Sequence, residues 1–118
     1  MSNELSVYAG MIFNKSGANV YSNESALVDI AGSNLVKDTQ SIGTSIETLS
    51  FPSDVSGVGY LLIKNLDNSN YVTLGPTTSA MLVRINAGEI ALFRIAGLPV
   101  YAQANTSTVK IQKTFVRG

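Results

Sequence analysis

The strongest pattern in this chain is an apolar side chain at every second residue, and it leaves room for little besides β-strands. Leu5, Val7, Ala9, Met11 and Phe13 fall on one side of an extended segment, with Ser6, Tyr8, Gly10 and Ile12 on the other. Successive side chains of a strand point to opposite faces, so this spacing builds one apolar face. The final segment repeats the pattern, with Val109, Ile111, Lys113, Phe115 and Arg117 alternating with Lys110, Gln112, Thr114 and Val116. Any helical stripe is broken by Ser, Thr, Asp and Gly, which favour turns and caps over helix interiors.

Turn signals divide the rest into short extended runs. Ser16-Gly17, within Asn14 to Asn19, sends the chain back on itself, and a second segment over Ala26 to Ile30 stops at Gly32-Ser33-Asn34. Leu35 to Ile42 and Thr44 to Phe51 are rich in Thr, Val and Ile, with Gly43 turning or bending the chain between them. Pro52-Ser53-Asp54, with Gly57 and Gly59, marks a loop near the midpoint. Tyr60 to Asn65 reads as a central strand covered on both faces. The polar turn Asp67-Asn68-Ser69-Asn70 then joins it to Tyr71-Val72-Thr73-Leu74 as a hairpin. Ala80 to Ile85 and Glu89 to Ile95 form two more strands around Asn86-Ala87-Gly88, and Pro99 to Ala104 forms another before the Asn105-Thr106-Ser107-Thr108 turn. Single helical turns are expected at most near Thr78 to Met81 or Gly17 to Val20. The reading is all-β, with eight to ten short antiparallel strands in one domain spanning residues 1–118. Spacings of about 8 to 12 residues point to a β-sandwich or barrel.

Composition narrows the chemistry. The 118 residues include no cysteine, histidine or tryptophan. Disulfide and thiolate chemistry are therefore excluded, the commonest zinc, copper and haem ligands are missing, and no side chain has an unperturbed pKa near neutrality. The missing cysteines fit a reducing cytosol, or an origin where disulfides are not used. Eight bases balance eight acids, so no basic surplus exists to neutralise a nucleic-acid backbone. Charged residues make up 14% of the chain against 45% hydrophobic, which suits a surface dressed in Ser, Thr and Asn or one packed against other subunits. Met1 to Glu4 is polar, with no targeting character, and no apolar run approaches the roughly 20 residues of a membrane span. Sequons at Asn14, Asn23 and Asn105 are the chance product of an Asn/Ser/Thr-rich chain.

The zero net charge hides an asymmetry. Residues 1–59 hold six acids (Glu4, Glu24, Asp29, Asp38, Glu47, Asp54) and two bases (Lys15, Lys37), whereas residues 60–118 hold six bases (Lys64, Arg84, Arg94, Lys110, Lys113, Arg117) and two acids (Asp67, Glu89). Interleaved strands of the two halves make this complementarity internal, and segregated halves make it a dipole suited to contact between subunits.

Each chemically suggestive cluster has a plain structural explanation. Asp67-x-Ser69, with Asn65, Asn68 and Asn70, offers oxygen ligands but lacks the further carboxylates of a calcium loop, and reads as an Asx turn. Arg84 and Glu89 are placed to pair across the hairpin around Asn86-Ala87-Gly88, whereas Glu89 and Arg94 point to opposite faces. Lys110, Lys113 and Arg117 beside Phe115 form too small a basic set for a nucleic-acid module. Ser107 and Lys110 have the S-x-x-K spacing, but lead into a strand where that nucleophile motif needs a helix. No catalytic, cofactor-binding or metal residue is assigned, and enzymatic activity is not expected.

Three blocks resemble a known group. They are Ile63-x-Asn65-x-Asp67-x-x-Asn70-Tyr71-Val72-x-x-Gly75, then Gly88-Glu89-x-Ala91-x-Phe93-Arg94, then Tyr101-Ala102-x-Ala104-Asn105-Thr106-x-x-Val109-Lys110. Together, across residues 59–111, they resemble small virion structural proteins of tailed bacteriophages. The resemblance implies a β-sandwich or jelly-roll subunit, made in the host cytoplasm and resident in the virion. It implies a capsid decoration (cement) protein at the capsid surface first, with a neck, tail or baseplate component as the alternative. Its partners would be copies of itself, as a trimer, and the major capsid or other virion proteins, with no nucleic acid or membrane. A reading of another class is a carbohydrate-binding β-sandwich module, for which Tyr8, Tyr21 and Tyr101 are the candidate stacking residues.

Overall fold

The computed structural model describes residues 4–30, 35–51, 59–97 and 99–117. It is all-β and antiparallel throughout, with ten strands and no helix among the described residues. The expected loop at Pro52-Ser53-Asp54 and Gly57, and the stop at Gly32-Ser33-Asn34, lie outside those residues. The described residues form two compact units, one over residues 4–30 and one over residues 35–117.

The first unit is a hairpin of β1 (Leu5–Lys15) and β2 (Ala18–Val28), in register from Leu5↔Val28 to Lys15↔Ala18. Ser16 (φ 54°) and Gly17 (φ 84°) both take positive φ, as a two-residue type I′ turn requires. The second strand is thus already under way at Ala18, well before the expected Ala26, and no helical turn forms near Gly17 to Val20. At the open end, the Glu4 carboxylate accepts from the Ile30 amide at 2.9 Å.

The second unit holds the other eight strands. These are β3 (Leu35–Ile42), β4 (Glu47–Thr48), β5 (Gly59–Asn65), β6 (Val72–Gly75), β7 (Val83–Ile85), β8 (Ile90–Ile95), β9 (Tyr101–Ala104) and β10 (Val109–Arg117). They form two four-stranded sheets in the orders β3-β10-β5-β8 and β4-β9-β6-β7. Apart from the β6 to β7 step, each strand is followed by one in the other sheet.

That crossing overturns two expected hairpins. Tyr60–Asn65 and Tyr71–Leu74 belong to different sheets, and so do the strands around Asn86-Ala87-Gly88. Composition marks a turn but does not reveal whether the chain returns beside itself or crosses over. Tyr60 to Asn65 is an interior strand, yet buried and non-buried residues alternate along it, so one face is covered and not both. Of Thr44 to Phe51, Glu47–Thr48 alone joins a ladder. Side-chain bonds anchor this segment: Gly43 N–H donates to Glu47 Oε2 at 2.9 Å, and Ser50 N–H donates to Gln40 Oε1 at 2.9 Å. Thr78 to Met81 lies in a tight turn with a Thr77↔Ala80 bridge instead of a helical turn.

Both sheets feed one apolar core. Ile42, Leu61, Ile63, Ile95, Val109, Ile111 and Phe115 enter from one sheet, and Val72, Leu74, Ile85, Ala102 and Ala104 from the other. Each fully buried aliphatic or aromatic side chain contributes about 1.5–3 kcal/mol, which makes this cluster the main source of stability. Phe51 packs on Phe115 with ring centroids 5.2 Å apart.

Candidate assembly surfaces

The hairpin carries the face that the alternation predicts, but that face is not buried. Direct cross-strand partners share a face, so Leu5, Val7, Ala9, Met11 and Phe13 lie with Val28, Ala26, Glu24, Ser22 and Val20. Met11 is 76% exposed and Phe13 55%. The opposite face is also apolar, with Ile12 directly across from Tyr21 at 78% and 72% exposure. Large apolar side chains on both sides of a ribbon are unusual, because a two-stranded hairpin buries too little to be independently stable in water. Among the described residues each of its strands pairs with the other alone, leaving outer backbone edges open for further pairing.

A second surface lies on the outward side of the β3-β10-β5-β8 sheet. Register places Leu35, Val116, Tyr60 and Arg94 in one row, and Lys37, Thr114, Leu62 and Leu92 in the next. The following row holds Thr39, Gln112, Lys64 and Ile90, beyond which Ser41 faces Lys110. Four bases and no acid occupy this face. Leu35, Leu62 and Ile90 are exposed on it, and the Arg94 guanidinium sits 5.1 Å from the centroid of its partner Tyr60. The surface is therefore apolar and positive at once.

The polar clusters named from sequence serve the fold. Asp67 Oδ2 accepts from the amides of Asn70 at 2.7 Å and Ser69 at 3.0 Å, as an Asx turn does. Those bonds, the Asn70 amide foremost, hold the Asp67 carboxyl below its ordinary pKa. Asn65 is fully buried at the centre of this corner: its Nδ2 donates to the carbonyls of Asn70 at 2.9 Å and Ile85 at 3.0 Å, and its Oδ1 accepts from the Asp67 amide at 2.8 Å. The main chain of Asn65 also pairs with Glu89 and Gly88. Sequence placed Asn65 beside a turn; that it ties two sheets and two turns together was invisible because its side-chain partners lie up to 20 residues away and its main-chain partners farther still.

Arg84 and Glu89 do not form the expected cross-strand pair, since their segments do not lie side by side in one sheet. Both instead hold Asn86: Arg84 Nε donates to its Oδ1 at 2.8 Å, and Glu89 Oε1 accepts from its amide at 3.0 Å. Arg84 also lies over the Tyr71 ring, 3.7 Å from the centroid. The C-terminal basic set is split. Lys110 and Arg117 are exposed, whereas Lys113 and Phe115 point into the core. Ser107 lies in a bend and Lys110 in β10, so no helix presents that pair. Tyr8 and Tyr21 lie on the hairpin, and Tyr101 is half-buried in β9 of the other unit.

An apolar cleft of about 340 Å³ opens in the second unit, lined by Leu74, Pro76, Leu82, Val83, Phe93 and Val100 among others. Its lining contains apolar residues, glycine and proline, with no polar side chain to orient a small molecule. Among the described residues no group of three or more Asp or Glu is placed to hold a metal ion. Compared with known proteins, the chain matches no family model, no curated protein and no solved structure.

Proposed function

We propose that this chain is a structural subunit of a tailed-bacteriophage particle: first a capsid decoration (cement) protein at the capsid surface, alternatively a neck, tail or baseplate component. The observation that carries the reading is the β1–β2 hairpin, which presents Met11, Ile12, Phe13, Val20 and Tyr21 to solvent on a ribbon with open edges. Such a feature lowers the solubility of an isolated monomer and gains its purpose from a protein partner.

Topology supports the same reading. Numbered from 1 to 8 within the second unit, the strands run 1-8-3-6 in one sheet and 2-7-4-5 in the other. This order has the nested antiparallel pairs of two Greek keys, and we read it as a jelly-roll β-sandwich, an architecture common among capsid and lectin domains. Fold alone does not carry function, so the weight stays on the hairpin and on the three sequence blocks.

Mass spectrometry of purified particles of the phage encoding this chain tests the proposal. The chain is expected as a virion component in many copies, and its absence from the particles overturns the reading. A density map of the particle then separates head from tail. The lectin association of the jelly roll and the exposed Tyr8 and Tyr21 favour carbohydrate binding as a second reading, for which glycan-array binding lost in Tyr8→Ala and Tyr21→Ala is the expected result.

A further inference from the structure

Two unpartnered surfaces of this chain are complementary. The hairpin face of Val7, Met11, Phe13 and Val20 is apolar and carries Glu24 in its middle, opposite Ala9, with Lys15 at its turn end opposite Ala18. Residues 4–30 as a whole hold three acids and one base. The outward face of the β3-β10-β5-β8 sheet is apolar and carries Lys37, Lys64, Arg94 and Lys110 with no acid. Both surfaces are large and apolar; the hairpin has an acid at its middle and, with three acids to one base over residues 4–30, an acidic balance, whereas the sheet face carries bases and no acid.

We infer that the β1–β2 hairpin is an assembly arm whose Glu24-bearing face lies on the Lys37/Lys64 face of a second copy of this chain. This rests on the structural-subunit reading and names its partner. Eleven residues per strand give a ribbon about 35 Å long and 10 Å wide, so a single contact sits at the low end of specific interfaces. Every copy, however, both offers an arm and receives one. Such a head-to-tail contact forms a ring when its rotation closes, and in the ring each subunit is held twice. The arm accordingly makes a closed oligomer, a trimer in the reading above, and buries the hairpin that is marginal alone.

The test uses the full chain. Light scattering coupled to size-exclusion chromatography, from micromolar to near-millimolar concentration, should show a closed oligomer that dissociates on dilution and weakens with salt. Glu24→Lys, and separately Lys37→Glu with Lys64→Glu, should each raise the dissociation constant about tenfold or more, while the combined charge reversal recovers association. All three positions are exposed, and circular dichroism of each variant checks that the fold is kept. A monomer at every concentration, or an oligomer indifferent to all of these substitutions, overturns the inference. A monomer that is nonetheless found in purified particles overturns the arm and leaves the virion reading standing. An oligomer with the expected charge dependence that is missing from particles supports the arm and removes the virion reading.

Discussion

Lys113 Nζ lies 2.6 Å from Asp38 Oδ1, and the two residues are direct cross-strand partners on β10 and β3. The lysine side chain is 1% exposed and the aspartate 48%. One comes from the basic half of the sequence and one from the acidic half, so at this position the charge asymmetry closes inside the chain. Lys113 Nζ also lies 5.6 Å from the centroid of the Phe51 ring, which packs on Phe115. A buried ammonium needs its counter-ion, because isolated burial of a charge costs far more than the pair gains.

Removing the acid should therefore cost more than removing the base. Asp38→Ala is expected to lower stability by about 2–3 kcal/mol, less than for a fully buried pair because water reaches the carboxylate. Lys113→Met keeps the stem and removes the charge, and should stay within about 1 kcal/mol of the parent. Urea unfolding midpoints of the two variants check the order.

Asn65→Ala leaves the carbonyls of Asn70 and Ile85 without their donor and the Asp67 amide without its acceptor. Unsatisfied buried groups cost about 1–3 kcal/mol each, and partial access of water brings the expected total to about 2–4 kcal/mol. Differential scanning calorimetry should record a fall in Tm of roughly 10 °C or more. An unchanged Tm contradicts the role given to this side chain.

The Asp67 carboxyl is held low by the Asn70 and Ser69 amides, which favour its charged form. A depressed folded-state pKa stabilises the protein at pH values above the unfolded value, near 3.8, and that contribution disappears as pH falls through the lowered folded value. Asp67→Asn keeps one acceptor and removes the charge. The stability gap between parent and variant should be constant near neutrality and close in the acid range. Carboxyl chemical shifts followed by NMR report the lowered pKa directly.

Gly75 ends β6 where a Cβ would run into the carbonyl of Ala80, whereas a Cβ at Gly97 would meet open space. Gly75→Ala should destabilise by about 1–3 kcal/mol, as overpacking does. Gly97→Ala is expected to be neutral or to stabilise by up to about 1 kcal/mol, through lost freedom of the unfolded chain. Thermal unfolding of the pair distinguishes a steric requirement from a general intolerance of alanine.

Ser16 pays for its positive φ with a Cβ, at a position where Asn is better tolerated. Ser16→Asn creates the Asn-Gly pair favoured in type I′ turns and should steady the hairpin by about 0.5 kcal/mol. Slower amide hydrogen exchange at Lys15 and Ala18, by a factor of about two, is the expected readout.

Local pattern carried much of the fold. The alternation in Leu5 to Phe13 and Val109 to Arg117 marks the strands that form there, and Leu35 to Ile42 is a strand from end to end. Ser16-Gly17 and Asp67 to Asn70 are turns for reasons that lie within four residues. The candidate surfaces were legible in part: the apolar face of the first strand is plain in its spacing, but spacing cannot tell whether a face is covered. Lys113 shares its alternation face with Val109, Ile111 and Phe115, but that this face is buried is decided by the packing of two sheets.

The sequence by itself determined that the chain is extended and antiparallel, where most turns fall, and that histidine and cysteine chemistry is closed to it. Side-chain period, positive-φ turn residues and composition are local properties that need no knowledge of distant neighbours. Tertiary structure alone decided that consecutive strands cross between sheets, that Asn65 and Lys113 are buried while Met11, Ile12 and Phe13 are not, and that four bases share one outward face. Those outcomes depend on which strands become neighbours, and pairing between β3 and β10 joins residues 75 positions apart, beyond the reach of any local signal.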